Sequence, residues 1–141
     1  MAVTVLLRLA RLCGREDFAT RAVEAIRAHG EIMERHPSAC GQMLIAFDFF
    51  LGPVQEIVVV GPAQSPDTQA TLATIHQSFR PHQVVVFHDP AWGEPPIDLI
   101  PLLKDRPAVN GQVTTYICEK WVCQAPRIGP LSREQLDQAA T

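Results

Sequence analysis

Two short runs built almost wholly of β-branched residues constrain this chain more than any other feature. Glu56-Ile57-Val58-Val59-Val60-Gly61 is the first, and Gln83-Val84-Val85-Val86-Phe87 is the second. A strand with one wet face alternates apolar and polar residues, whereas an unbroken apolar run suits a strand buried on both faces. Strands of that kind belong to parallel sheets. Between the runs, Ser65-Pro66-Asp67 offers an N-cap, a proline at the first helical position and a first-turn acid. Leu72, Ile75 and Phe79 then form an inward face, so the pattern predicts a helix over 66–78 and a right-handed strand-helix-strand unit. Residues 88–96 read as loop, broken by Pro90, Gly93, Pro95 and Pro96. A short helical segment, interrupted by Pro101, is expected over 97–104, and Asn110-Gly111 marks a turn before a third strand at 113–118. Ser132-Arg133-Glu134-Gln135 is a capping box that opens a last helix at 133–140.

The first 52 residues read as helices. Val3, Leu6, Leu7 and Ala10 fall on one helical face, and Val5, Leu9 and Leu12 add a second apolar side that asks for further cover. Gly14 supplies a stop. The next helix starts near Glu16 with Phe18, Ala22, Ala25 and Ile26 inward and Arg15, Arg21 and Arg27 outward. Gly30 and Pro37 bracket a short last turn. Ser38 is placed to cap a further helix, about 39–51, which is apolar almost all round and therefore expected to be buried. Asp48 in that helix is either a buried carboxylate or a side chain reaching solvent.

Strands buried on both faces need helices on both sides. The expectation is one α/β domain over 1–141, a small three-layer βαβαβ parallel sheet (53–141) packed with N-terminal helices (1–52). A length of 141 residues gives room for one core. The net charge of −3 and 12 scattered basic residues exclude an electrostatic case for nucleic acid or an anionic membrane as partner. The opening Met1-Ala2-Val3-Thr4-Val5-Leu6-Leu7 is interrupted by Arg8 and Arg11, and no stretch approaches the roughly 18 apolar residues of a spanning helix. Cys13 and Cys40 sit inside helical apolar patterns and read as buried reduced thiols, so a cytoplasmic location is expected.

In an open parallel sheet, ligands collect beyond the carboxyl ends of the strands. Those ends would present Gly61-Pro62, His88-Asp89 and Cys118, which makes His88 and Asp89 the candidates for a small-ligand site. The plainer reading is a polar loop start beside a core cysteine. Cys118-Glu119-Lys120-Trp121-Val122-Cys123 supplies at most half of a tetrahedral zinc site, and no second pair completes it. As a redox pair, Cys118 and Cys123 need a reverse turn to meet, with Lys120 favouring a thiolate. The alternative is two thiols packed beside Trp121. Neither a Gly-x-Gly-x-x-Gly nor a Walker pattern nor a Gly-x-Ser-x-Gly elbow is present, so no cofactor, metal or catalytic set is assigned.

One resemblance runs along nearly the whole chain. Leu6-Leu7-Arg8-Leu9-Ala10 precedes Gly14-Arg15-Glu16-Asp17-Phe18; Pro37-Ser38-Ala39 leads to Met43-Leu44-Ile45-Ala46, Gly52-Pro53 and the first valine run. Phe79-Arg80-Pro81 and Tyr116-x-Cys118-x4-Cys123-x-x-Pro126 follow. In this order the motifs resemble the C-terminal end of the spermatogenesis-associated, thioredoxin-domain-containing proteins. The resemblance implies a parent with a thioredoxin-like domain and an α/α toroid of the six-hairpin glycosidase kind. This chain holds no Cys-x-x-Cys and only about three toroid helices, so neither a redox function of that domain nor a sugar pocket carries over. Met1 falls where the family would be within a helical layer, as in a piece of a longer chain. The resulting expectation is a non-catalytic C-terminal structural subdomain whose partner is the rest of a parent chain or a second copy.

Overall fold

The computed structural model describes every residue except Ser78, Trp121, Ala140 and Thr141. Four helices come first: α1 (Ala2–Cys13), α2 (Glu16–Ala28), α3 (Gly30–Arg35) and α4 (Gly41–Leu51). Gly14 ends α1 as read, in the left-handed conformation at φ 62°, and its N–H donates to the Ala10 carbonyl. Ser38 does not cap α4. It lies within a 3-10 turn, Pro37–Ala39, because Pro37 starts a tighter coil and the α-helix begins only after Cys40.

The sheet follows, with β1 (Gln55–Val60), α5 (Pro66–His76), β2 (Gln83–His88), β3 (Thr114–Glu119), β4 (Val122–Cys123) and β5 (Arg127–Ile128), and α6 (Arg133–Gln138) closes the described chain. The two valine runs lie side by side and parallel, with Ile57 opposite Val85 and Val60 opposite His88. The strand order is β2-β1-β3-β4, and β5 pairs with β3. One expectation fails. β3 runs antiparallel to β1, with Val60 opposite Thr114 and Gln55 opposite Glu119, so the sheet is mixed rather than parallel. A parallel return needs a crossover that carries the chain back along the whole sheet, normally a helix. The link from β2 to β3 contains only 3-10 turns, at Pro90–Trp92, Pro101–Leu103 and Val109–Gly111, and the chain re-enters the sheet at the end where it left.

The core has two faces. Ile57, Val59, Val113 and Ile117 pack against Ile75 of α5 and against Leu131 and Leu136. On the other face Val84 meets Leu7, Ala22, Ile26, Ala46 and Phe49, while Val58, Val60, Val86 and Tyr116 meet Leu102, Leu103 and Leu12. Each fully buried aliphatic side chain contributes roughly 1.5–3 kcal/mol. The N-terminal helices therefore cover one side of the sheet, as expected. Polar contacts fix them there: Arg8 donates to the Gln83 and Pro81 carbonyls at 2.9 and 3.0 Å and lies over the Phe49 ring, and Arg11 stands 3.6 Å from buried Glu56.

Three local expectations need correction. α5 ends at His76, and Phe79 is 93% exposed instead of inward, since Pro81 lies two residues beyond it and bars a continued helix. α4 is not buried all round: Ala46 and Phe49 face the core, while Ile45, Phe50 and Leu51 stand in solvent. Asp48 is exposed, with Oδ2 2.8 Å from His82 Nε2. The segment 97–104 forms a single turn, closed by the Ile100 N–H on the Pro96 carbonyl at 2.8 Å, and then the 3-10 turn Pro101–Leu103, rather than an α-helix. The capping box of α6 is present in both halves: Ser132 Oγ accepts from Gln135 N–H, and Gln135 Oε1 accepts from Ser132 N–H. The expected last position of α6, Ala140, and the end of α5 at Ser78 lie outside the described residues. No helix among the described residues is long and apolar enough to cross a membrane.

Candidate functional site

The carboxyl ends of β1 and β2 open side by side because the two strands are parallel and in register to Val60 and His88. Asp89 ties together the loops that leave them. Its Oδ2 accepts the Ala63 N–H at 2.7 Å and its Oδ1 accepts the Ala91 N–H at 2.8 Å, the second bond capping the turn Pro90–Trp92. These bonds, that from Ala63 first, hold the carboxyl below its ordinary range; burial opposes them, and the neighbouring His88 adds a smaller pull in the same direction. Both oxygens of Asp89 thus serve the backbone.

His88 is placed differently. It is buried, its ring centroid lies 6.2 Å from that of Trp92 in a T-shaped arrangement, and it forms part of the wall of a cleft of about 810 Å³. Val60, Pro95, Ile97, Leu103 and Pro107 give that cleft apolar sides, and Glu94, Lys104, Asp105 and Arg106 of the β2–β3 link line it as well. A concave space of this size with mostly apolar surface and a handful of polar groups at its wall is the usual form of a small-molecule site.

Cys118 is not part of this end. The antiparallel course of β3 carries it to the far end of the sheet, opposite Glu56, so the convergence of strand-end residues expected for a parallel sheet does not occur. It is brought to Cys123 instead. Lys120 takes φ 49°, the chain reverses, and Cys118 stands opposite Cys123 on β4, with the two Sγ atoms 2.07 Å apart. The Gln124 N–H donates to the Ile117 carbonyl beside them, which puts the cysteines at a site where side chains come closest. Trp121, read as a packing neighbour of these thiols, lies outside the described residues.

Arg106 is the group that sequence reasoning missed. Its Nη2 lies 2.9 Å from Cys123 Sγ, and its Nη1 donates to the carbonyls of Leu102 and Lys104. Seventeen residues separate it from Cys123, and no local pattern marks the pair. The Tyr116 hydroxyl positions the segment by donating to the Pro107 carbonyl at 2.7 Å, and burial pushes that phenol's pKa up, with Arg106 opposing. Cys13 and Cys40 are unpaired and half-buried. Among the described residues, no three His, Cys, Asp or Glu side chains gather in a way that would hold a metal ion.

No protein-family model and no solved structure matches the sequence. The chain is similar to spermatogenesis-associated protein 20 of Homo sapiens, at 30% identity over 134 residues, and to that of Rattus norvegicus, at 31%. Each alignment takes in 93% of this chain and 17% of the relative, so the chain spans about a sixth of the length of the proteins it matches. The resemblance carried by the order of the motifs therefore holds as a similarity: this chain matches one part of spermatogenesis-associated protein 20.

Proposed function

We propose that this α/β unit is a non-catalytic structural subdomain of a larger protein, seated at the C-terminal side of an α/α toroid whose helices cover its own helical layer. One observation carries this reading. Val5 and Leu9 on α1, and Ile45, Phe50 and Leu51 on α4, are exposed apolar side chains of the helical layer. Isolated exposed leucines are ordinary, but a helix that is apolar on nearly every side is a helix that expects neighbours. The length of the relatives supports the choice of occupant, since most of each relative lies outside the aligned part.

The test is the behaviour of the chain alone. Without its neighbours it is expected to self-associate through this layer, with a mass that rises with concentration in size-exclusion chromatography with light scattering. Replacing Phe50 and Leu51 by Lys is expected to return it to a monomer with unchanged circular dichroism. A clean monomer at low and high concentration counts against the reading.

The cleft beside His88 favours a second function, binding of a small and largely apolar molecule through a hydrogen bond to the imidazole. A ligand screen by thermal shift, repeated on His88→Ala, examines it. Hits lost in the variant support this location, and hits that persist unchanged refute it.

A further inference from the structure

Independently of the docking reading, we propose that Cys118 and Cys123 form a reversible disulfide that exchanges with external thiols, with Cys123 as the exchanging sulfur and Arg106 as the residue that positions and stabilises its thiolate. Three observations converge. First, the hairpin fixes the pair in register, so oxidation requires no movement of the backbone. Second, the two sulfurs differ in access: Cys118 is 1% exposed, whereas Cys123 is half-buried on the short β4, next to the exposed Val122 and Gln124. An external thiolate can reach only one of them directly.

Third, the charges around the pair are unequal. The guanidinium of Arg106 lies 2.9 Å from Cys123 Sγ and is itself held by two carbonyls, so its position is set before any thiolate forms. A disulfide sulfur is neutral and a weak acceptor, and it gains little from a cation. A thiolate gains much more. The arrangement therefore stabilises the reduced form more than the oxidised one, which makes the bond more readily reduced. Cys118 instead has buried Glu56 as its register partner, a carboxylate that stands 3.6 Å from Arg11. Other charged groups of the neighbourhood are Glu119 and Lys120 at the hairpin, Lys104 and Asp105 beside Arg106, and Arg127, which donates to Gln124 Oε1 at 3.3 Å.

The exchange balances as follows. An external thiolate attacks Cys123 Sγ, the Cys118–Cys123 bond breaks, and Cys118 leaves as a thiolate that takes up a proton. A second external thiol attacks the mixed disulfide, forms the external disulfide and releases Cys123 as the thiolate facing Arg106. Two thiols are oxidised for each protein disulfide reduced, and oxidation of the protein by an external disulfide is the same path reversed.

Equilibration of the full chain in mixtures of reduced and oxidised glutathione, followed by alkylation and mass spectrometry, is the test. The Cys118–Cys123 disulfide is expected to appear and disappear as the ratio is varied, with mixed disulfide trapped on Cys123. In the reduced protein, iodoacetamide at pH 7 is expected to modify Cys123 about tenfold faster than Cys13 or Cys40, the in-chain controls. Arg106→Gln should abolish that advantage and shift the glutathione equilibrium toward the disulfide, and Arg106→Lys should keep part of it. A pair that stays oxidised or stays reduced at every ratio overturns the proposal. So does a Cys123 that reacts no faster than the controls in the unaltered protein, a result that needs no variant to fold.

Discussion

Gly61→Ala is the substitution that most directly interrogates the direction of β3. A Cβ at Gly61 would stand 2.9 Å from the Cα of Val113, 3.1 Å from its Cβ and 2.9 Å from Thr68 Oγ1. The first of these is backbone in the strand approach to β3 and cannot swing aside, so the sheet itself has to give. Overpacking of this kind costs about 1–3 kcal/mol. Loss of glycine freedom in the unfolded chain offsets about 0.4–1 kcal/mol of that. The net expectation is a destabilisation of roughly 1–2 kcal/mol, or ~3–8 °C in melting temperature for a domain of this size. Gly41→Ala is the control, because a Cβ there meets nothing within 4 Å at the start of α4, and it should be neutral or slightly stabilising. Urea unfolding followed by circular dichroism measures both. Thr68→Ala added to Gly61→Ala should recover only part of the loss, because the Val113 backbone stays where it is. If Gly61→Ala matched the control, Val113 would not lie beside the end of β1, and the antiparallel register of β1 and β3 would be wrong.

Thr71→Val keeps the shape of a fully buried side chain but leaves the Leu131 N–H, now 3.1 Å from Thr71 Oγ1, without its acceptor; a loss of about 1–3 kcal/mol is expected in the same unfolding assay. Asp89 has a folded-state pKa below its ordinary 3.8, so the unfolded chain binds more protons in the acid range. Its contribution is fully present above that ordinary value and is lost as pH falls through the lower, folded one; Asp89→Asn should flatten stability against pH in this window, and an unchanged acid profile would contradict the two backbone bonds. Tyr116→Phe removes the hydroxyl that holds Pro107 and should cost about 1 kcal/mol while also weakening the contact between Arg106 and Cys123, read as a slower alkylation of Cys123 in the reduced protein.

The elements legible in the sequence are those whose signals are local. Gly14 after the last turn of α1, Pro66 and Asp67 in the first turn of α5 and the Ser132–Gln135 box all act within a few residues, and each is found where it was read, although Ser65 holds the N-cap position of α5 without a side-chain cap bond. The two valine runs are also legible, since burial on both faces leaves no polar alternation to mistake. The same property conceals the direction of β3. Thr114, Thr115, Tyr116, Ile117 and Cys118 are all buried, so its pattern is that of a parallel core strand although its pairing is antiparallel. The information lay instead in the link before it, where prolines at 90, 95, 96 and 101 leave no room for the helix that a parallel return requires. α4 misled in the opposite sense: its composition marks a helix that is buried somewhere, and composition does not say by what.

The direction of that one strand also decides how the candidate residues are grouped. With β3 parallel, Cys118 would end beside His88, and a single site would join an imidazole, a carboxylate and a thiol. With β3 antiparallel, the strand separates them by its own length, leaving an imidazole-lined cleft at one end of the sheet and the Cys118–Cys123 pair at the other. Arg106 lies between the two: it forms part of the wall of the cleft and its guanidinium rests on Cys123. On the proposal above, reduction turns the neutral sulfur that it already touches at 2.9 Å into an anion, which holds the guanidinium at the hairpin more firmly. On that same proposal a cleft ligand that engaged Arg106 would compete with the thiolate for the guanidinium, and thermodynamic reciprocity requires that such a ligand shift the glutathione equilibrium of the pair toward the disulfide.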